Sequence, residues 1–227
     1  MTQPIDELPT PAAVLFDLDG TLVDTVSHRI DAWQQTFTEV GLPIARDRLS
    51  PLIGLDGRRL AREVAALHGE RIDNDRSEAI DRRSGELYEG LNRAPAALPG
   101  VGRVVDALEG RGIRWAIATS SRAAQVATSV AALGLERQPL IVDASHVEHA
   151  KPEPDLLLYA AQELRVHPAA CWYIGDSTWD MVSAVAAGML AIGVTVGSAV
   201  DPTALIGSGA AAVVRTLDEV AATLEGR

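Results

Sequence analysis

AAVLFDLDGTLV, residues 12–23, is the stretch of sequence that decides the fold. Its first five residues, 12–16, are all apolar, which is typical of a short buried strand. The run ends in Asp17 and Asp19, followed by Gly20, and such residues favour a turn. The sequence therefore predicts a core strand that leads directly into a pair of carboxylates.

The next part of the chain, residues 24–91, has its apolar residues at helical spacing and contains no convincing strand. We expect this block to form a helical insert behind the first strand. The apolar positions are Ile30, Trp33, Phe37, Val40, Leu60, Val64, Leu67, Ile80, Leu87 and Leu91.

From Leu98 onward, short apolar runs alternate with amphipathic stretches, which indicates βαβ units and a parallel sheet covered on both faces. The predicted strands are 114–118, 139–142, 171–174, 190–194 and 211–214, and the predicted helices are 101–111, 123–133, 154–164, 178–187 and 216–224. The expected fold is α/β: a Rossmann-like doubly wound parallel sheet formed by residues 1–23 and 92–227, with a small α-helical cap domain, residues 24–91, inserted after the first strand.

The composition argues against several classes of partner. Thirty-one acidic and twenty basic residues give the 227-residue chain a net charge of −11, which repels nucleic acid and anionic membranes. Cys171 is the only cysteine and has no partner for an internal disulfide. No apolar run of about 18 residues is present. We expect a cytoplasmic protein, a monomer or homodimer, that acts on a small molecule.

The basic residues include a single lysine, Lys151, and it is followed by Pro152. A Walker A loop needs Gly-Lys-Ser/Thr and is therefore absent. The G-x-S-x-G nucleophile elbow does not occur, and Val105 stands where a G-x-G-x-x-G run beginning at Gly100 needs its third glycine.

Polar side chains follow the predicted strands at their carboxyl ends, where open α/β sheets bind ligands. These side chains are Asp17, Asp19, Thr119, Ser120, Ser121, Lys151, Asp176, Ser177 and Asp180. Carboxylates about 4 Å apart repel by roughly 4 kcal/mol at an effective dielectric constant of about 20, so such a cluster needs a cation. Oxygen ligands without cysteine or histidine favour Mg²⁺, which leaves coordination positions for a substrate phosphate.

Asp17 and Asp19 are two residues apart, which places both side chains on the same face of an extended strand. One carboxylate can then attack phosphorus while the other transfers the proton of the leaving group. We assign Asp17 as the nucleophile, which forms an aspartyl phosphate, and Asp19 as the general acid and then the general base, with a proton held toward the leaving group.

FDLDGTLVDT (16–25), IATSS (117–121), KPEPD (151–155) and IGDSTWD (174–180) stand in this order along the chain. Together they resemble the four signature motifs of the haloacid dehalogenase-like hydrolase superfamily. The helical insert resembles the small cap of its phosphoglycolate phosphatase and beta-phosphoglucomutase branch. The resemblance covers the whole predicted core.

The resemblance implies roles for particular residues. Asp17 would be the nucleophile and Asp19 the acid and base, Thr119 would orient the phosphoryl group, and Lys151 would stabilise its charge. Mg²⁺ would be held by Asp17, the backbone carbonyl of Asp19 and Asp176, and by Asp180 directly or through water.

Other residues are assigned from their position. Ser120 and Ser121 are expected to bind the substrate, with backbone amides after Ser121 as further donors to phosphoryl oxygens. His28, with its neighbour Arg29, is expected to face the leaving group. Arg58, with Arg59, is expected to hold a distal anionic group of the substrate or to lie on a solvated helix face. Trp179 is a candidate for the mouth of the site, and His146 and His149 are expected at the surface.

The expected activity is Mg²⁺-dependent hydrolysis of a small phosphorylated metabolite, of the phosphoglycolate or sugar phosphate type. Carbon–halogen cleavage has no leaving oxygen to protonate and no need of Asp19, and the phosphonate-cleaving members resemble imine formers that need a lysine in the cap, where this chain has none. A beta-phosphoglucomutase-like sugar phosphomutase is the alternative, and a non-catalytic binding module is a second one.

Overall fold

A computed structural model describes residues 3–227 of the chain, apart from the side chain of Ala124. The strands are β1 (Ala13–Phe16), β2 (Arg114–Ala118), β3 (Leu140–Val142), β4 (Cys171–Gly175), β5 (Leu190–Val194) and β6 (Ala212–Val214). The α-helices are α1 (Val26–Glu39), α2 (Arg46–Leu49), α3 (Gly57–Leu67), α4 (Asn74–Leu91), α5 (Val101–Gly110), α6 (Ala123–Ala131), α7 (Asp155–Glu163), α8 (Thr178–Ala186), α9 (Pro202–Gly207) and α10 (Leu217–Glu225).

The six strands form one parallel sheet in the order β3-β2-β1-β4-β5-β6. Strand β1 lies at the centre, and all four of its residues are buried, as expected for a strand covered on both faces. Strands β2 and β3 lie on one side of β1, and β4, β5 and β6 lie on the other. The switch point between β1 and β4 is where open α/β sheets bind their ligands.

Helices cover both faces of the sheet and divide its core into two layers. Side chains of α5, α6 and α10 pack on one face with Val14 and Phe16 of β1. Side chains of α7, α8 and α9 pack on the other face with Ala13 and Leu15. Because side chains alternate along a strand, the residue in position 17 continues on the α8 side.

The cap is a separate layer with its own apolar core, formed by residues of α1, α3 and α4 together with the connection between them. Residues 24–91, all of which the structure describes, contain no strand. Two antiparallel linkers join the cap to the sheet: Asp24 N–H donates to the carbonyl of Ala96 at 2.9 Å, and Leu98 N–H donates to that of Leu22 at 2.9 Å.

The predicted fold class is confirmed, and the observed strands lie within one residue of the predicted ones. One helix of the core, α9, was not predicted. It is short and buries a single apolar residue, Leu205, so the apolar periodicity is too weak to reveal it. Asp201, whose carboxylate caps the helix, and Pro202 at its first position are the signals that could have found it. Among residues 3–227, no helix is both long and apolar enough to cross a membrane.

Candidate active site

The site lies at the carboxyl ends of β1 and β4, on either side of the switch point. Asp17 directly follows β1, and Asp176 directly follows β4. The Asp17 N–H donates to the carbonyl of Ile174 at 2.8 Å, which ties the two strand ends together. Gly20 has a φ of +86°, and a Cβ there would lie 2.4 Å from the Asp176 carboxylate, so only glycine allows the turn to approach it so closely.

Three buried carboxylates meet at this point. Asp17, Asp176 and Asp180 each offer an oxygen, and these oxygens all lie within 4.8 Å of one another. Asp180 comes from the first turn of α8, where the N–H and hydroxyl of Ser177 donate to its Oδ2 at 2.9 and 2.6 Å. The Tyr173 hydroxyl donates to its other oxygen at 3.0 Å. The carboxylate of Asp180 is therefore fixed before any ligand arrives.

Lys151 is buried beside this cluster. Its ammonium contacts Asp17 Oδ1 and lies 2.8 Å from Asp180 Oδ1. Burial opposes the charge on the amine, but the two carboxylates outweigh burial and raise the pKa of Lys151 above its ordinary value. One ammonium therefore faces three carboxylates.

The imbalance changes the acidity of the carboxyls. Burial, together with the neighbouring Asp180 and Asp19 charges, outweighs Lys151 and raises the pKa of Asp17 to about 7. Burial and the charges of Asp180 and Asp17 raise the pKa of Asp176 well above its usual range. A divalent cation would neutralise the repulsion between these carboxylates. Three carboxylates without a nitrogen or sulfur donor suit a hard ion such as Mg²⁺. The residues present therefore fit such a metal ion.

Asp19 directs its carboxylate away from this cluster, toward the cap. Its Oδ1 accepts from the hydroxyls of Thr25 at 2.7 Å and Tyr88 at 2.9 Å. Its Oδ2 accepts from the hydroxyl of Ser121 at 2.6 Å and from the guanidinium of Arg29 at 2.8 Å. The spacing argument put both acids on one face, but the strand ends at Phe16, so strand alternation no longer applies at position 19.

These contacts set the charge of Asp19. Burial would raise its pKa, but Arg29 and then the three hydroxyl donors outweigh burial and lower it. The carboxylate is therefore the favoured form in this arrangement. The acid role assigned to Asp19 requires its protonated form, which these contacts disfavour.

The three hydroxyl residues after β2 all line the same cavity. Thr119 is buried, and its hydroxyl accepts from the Ser121 N–H at 3.1 Å. Within the part of the chain that the structure describes, the hydroxyl of Ser120 is buried without a hydrogen-bond partner. It is a donor available to a ligand.

The cavity itself has a volume of about 600 Å³ and is bounded by the core on one side and the cap on the other. Several contacts hold the cap down on the core: Asp56 N–H donates to the carbonyl of Lys151 at 3.1 Å, and Trp179 Nε1 donates to that of Pro51 at 2.8 Å. Trp179 thus lies against the cap, outside the cavity lining. Arg58 lines the cavity, and its guanidinium lies 3.4 Å from the Asp56 carboxylate.

His28 does not line the cavity; its neighbour Arg29 does. The Nδ1 of His28 is buried and, among the described residues, has no hydrogen-bond partner. Helical spacing could have shown that Arg29, rather than His28, lies on the inner face of α1. Arg29 is three positions after the buried Val26 and four before the buried Trp33, so the three side chains share one face of the helix.

The polar cavity residues that were missed include Glu78, Asp81, Arg122 and Gln125. No local pattern in the sequence marks them, because they become neighbours only when α4 packs over the end of β2. His146 and His149 do not line the cavity; they contact Asp143 and Asp155.

Comparison with known proteins agrees with this geometry. Residues 14–194 match the family described as haloacid dehalogenase-like hydrolase. The chain is 33% identical to a phosphoglycolate phosphatase of Xanthomonas campestris pv. campestris, over 79% of this chain and 80% of that protein. It is 29% identical to the beta-phosphoglucomutase of Bacillus subtilis, over 80% and 82%. The crystal structure of a hydrolase from Pseudomonas syringae superposes with a TM-score of 0.89 at 29% identity, covering 94% of this chain and 98% of that one.

Proposed function

This chain belongs to the haloacid dehalogenase-like hydrolase family, in the branch of phosphoglycolate phosphatases and beta-phosphoglucomutases, and is a phosphatase. From that premise we propose that it hydrolyses a small phosphorylated metabolite with Mg²⁺ through an aspartyl phosphate on Asp17. The observation that carries the proposal is the meeting of Asp17, Asp176, Asp180 and Lys151 at the inner end of a cavity closed by the cap.

Asp17 is the nucleophile. One of its oxygens forms a bond to phosphorus as the bond from phosphorus to the ester oxygen breaks, which leaves the phosphoryl group on Asp17. Lys151 lies beside the attacking carboxylate and balances charge on the phosphoryl oxygens. Thr119 and Ser120 line the same cavity, where their hydroxyls orient the group being transferred.

Asp19 handles the proton. It delivers a proton to the departing ester oxygen, and it then takes one from the water that attacks the aspartyl phosphate. The products are inorganic phosphate and the alcohol, and Asp17 is regenerated. The contact of Asp19 with Arg29 and Tyr88, both on the cap, links its position to cap closure.

Mg²⁺ would be held by Asp17, the backbone carbonyl of Asp19, and Asp176, with Asp180 beside them. When bound, it supplies positive charge that neutralises the carboxylates and the transferred phosphoryl group. The closed cap limits the access of bulk water to the site.

The test is phosphate release from p-nitrophenyl phosphate and a panel of phosphorylated metabolites, with Mg²⁺ and with EDTA. Asp17→Asn should lower kcat by about 10³-fold or more, because no nucleophile remains. Asp106→Asn is the matched control, since Asp106 is exposed on α5, away from the site. Acid-quenched enzyme should carry a phosphoryl group that hydroxylamine removes, and Asp17→Asn should not.

Three results would contradict the proposal. Full activity of Asp17→Asn would exclude the nucleophile. No hydrolysis of any ester would favour a non-catalytic binding module. Conversion of a hexose 1-phosphate into the 6-phosphate without phosphate release would indicate a phosphomutase.

A further inference from the structure

The lining of the cavity carries six charged residues besides the acid cluster, Lys151 and the Asp19–Arg29 pair. We call this surface the distal wall and define it by its charged residues: Asp56, Glu78, Asp81, Glu148, Arg58 and Arg122. Four carboxylates and two guanidiniums give the distal wall a formal charge of −2. An ester whose phosphoryl group lies at the acid cluster extends its leaving group into the rest of the cavity, whose lining includes these residues.

Both arginines of the distal wall are already paired with carboxylates of the chain. Arg122, which follows the three hydroxyl residues after β2, donates to Glu78 at 2.8 Å and also to Asp81. Arg58 lies 3.4 Å from Asp56. Neither guanidinium is left with an unbalanced positive charge for a substrate.

The position of Asp81 is built into the packing of the cap. Its side chain is only 17% exposed, and a Cβ at Gly57 would lie 1.9 Å from its Oδ1. Glycine at the start of α3 therefore makes room for the carboxylate against the cap. The negative charge of Asp81 is therefore held against the cap at the cavity.

The remaining cations of the cavity are paired as well. Arg29 is held by Asp19, and Lys151 by Asp17 and Asp180. Among the cavity-lining residues in the described part of the chain, each lysine or arginine thus faces a carboxylate of this protein. A second anionic group on the substrate would meet a net negative surface.

Electrically neutral hydroxyl groups are better suited to this wall. Carboxylates accept hydrogen bonds and guanidiniums donate them, so paired charges offer both partners to a hydroxyl. The cavity volume of about 600 Å³ lies within the range of about 300–1,000 Å³ typical of small-molecule sites. It accommodates an alcohol considerably larger than a two-carbon acid.

We propose that the substrate is the monophosphate ester of a neutral, polyhydroxylated alcohol, a sugar or polyol phosphate, and that the distal wall rejects esters with a second anionic group. This inference rests on the proposed phosphatase activity and narrows its substrate class. It excludes phosphoglycolate and sugar bisphosphates as good substrates.

The test uses pairs of esters that differ by one anionic group: glucose 6-phosphate with 6-phosphogluconate, and glycerol 3-phosphate with 3-phosphoglycerate. The neutral member of each pair should have a kcat/KM at least about 10-fold higher, the ratio that repulsion between two unit charges about 12 Å apart produces at an effective dielectric constant of about 20. Phosphoglycolate, which also carries a carboxylate, should be as poor a substrate as 6-phosphogluconate and 3-phosphoglycerate.

Glu78→Gln should reduce this preference at least threefold, because it removes one negative charge and leaves Arg122 partly free. The matched control is Glu89→Gln, which removes the same charge from the exposed side of the same helix, outside the cavity. The preference of Glu89→Gln should equal that of the unchanged protein, and both variants should retain their circular dichroism spectrum.

The outcomes separate this inference from the activity on which it rests. If no ester is hydrolysed, the proposed function fails. If the neutral esters are hydrolysed and the acidic partners react equally well or better, only the neutral-substrate inference is overturned. A preference of more than 10-fold for glucosamine 6-phosphate over glucose 6-phosphate would also overturn it, in favour of a cationic alcohol. Equal effects of Glu78→Gln and Glu89→Gln would overturn the role of the distal wall.

Discussion

Replacing Arg29 by methionine tests the contact between the cap and Asp19. The Arg29 guanidinium lies 2.8 Å from the Asp19 carboxylate, and their side chains are only 14% and 11% exposed. It also lies 3.7 Å from the centre of the Tyr88 ring. Methionine preserves most of the apolar stem and removes the charge, so the change leaves a buried carboxylate without its cation.

The size of the effect follows from burial. Breaking a buried ion pair by removing one partner costs about 3–5 kcal/mol. Three hydroxyl donors remain on Asp19, so we expect the lower end, a fall of about 3 kcal/mol in the free energy of unfolding at pH 7. Loss of the cation also raises the pKa of Asp19, because burial is then opposed by hydrogen bonds alone.

The effect should depend on pH. The pKa of Asp19 is lower in the folded protein than in the unfolded chain, where it is about 3.9. The Asp19 carboxylate therefore stabilises the fold fully above pH 3.9, and this contribution is lost as the pH falls through the folded-state pKa. In Arg29→Met, the unpaired carboxylate is least favourable at high pH and is relieved by protonation. The difference in stability between the two proteins should therefore be largest near pH 7 and shrink toward pH 4.

Urea unfolding followed by tryptophan fluorescence, in metal-free buffer at pH 7 and pH 4.5, measures this difference. Arg46→Met serves as the control, because the Arg46–Asp31 pair is about half exposed and should contribute little. Equal stability of Arg29→Met and the unchanged protein at pH 7 would refute the reasoning. A loss of the same size at both pH values would show that packing, rather than charge, is responsible.

Two substitutions and one chemical modification test other parts of the structure. Gly175→Ala would place a Cβ 2.4 Å from the carboxyl carbon of Asp180 and should displace that carboxylate. Mg²⁺ binding, measured by calorimetric titration, should weaken about 10-fold or more. Gly90→Ala is the control, because the space around Gly90 is open, and it should leave binding unchanged. Gly54→Ala would place an alanine at a φ of +98°, with its Cβ 2.5 Å from the Ser177 hydroxyl that caps α8. The cap should then close less well on the core, and KM should rise. An unchanged KM would show that closure tolerates the methyl group. Burial raises the pKa of the Cys171 thiol to about 11, so a disulfide reagent at pH 7.5 should modify the native protein much more slowly than the urea-unfolded chain, and equal rates would contradict its burial.

Much of the core could be predicted because its signals are local. The strand at β1 is an apolar run closed by a turn, and β2 and β5 have the predicted bounds. The prediction that these strands form one parallel sheet follows from their alternation with helices. Once the sheet is parallel, residues directly after its strands share an edge, so Asp17 and Asp176 are expected at the same edge. The place of Lys151 beside them depends on the course of the loop after β3.

The cap side of the site could not be predicted in the same way. Asp19 and Arg29 are ten residues apart, and their contact depends on the angle at which α1 leaves the turn. Arg122 and its partners Glu78 and Asp81 come from opposite sides of the cavity and meet only because α4 packs over the core. Helical periodicity indicates which face of α4 is apolar, but it carries no information about the surface that faces the other domain.

The sequence by itself thus determined that a parallel sheet forms and that Asp17, Asp176 and Asp180 follow its strands at one edge, because each depends on short-range pattern and on the geometry common to parallel sheets. Only the tertiary structure decided that Asp19 faces Arg29, that His28 lies outside the cavity, and that the arginines of the distal wall are paired. These features depend on how the cap is seated on the core. That placement is set by side-chain packing and by ion pairs between residues far apart in the chain, which leave no periodic signal.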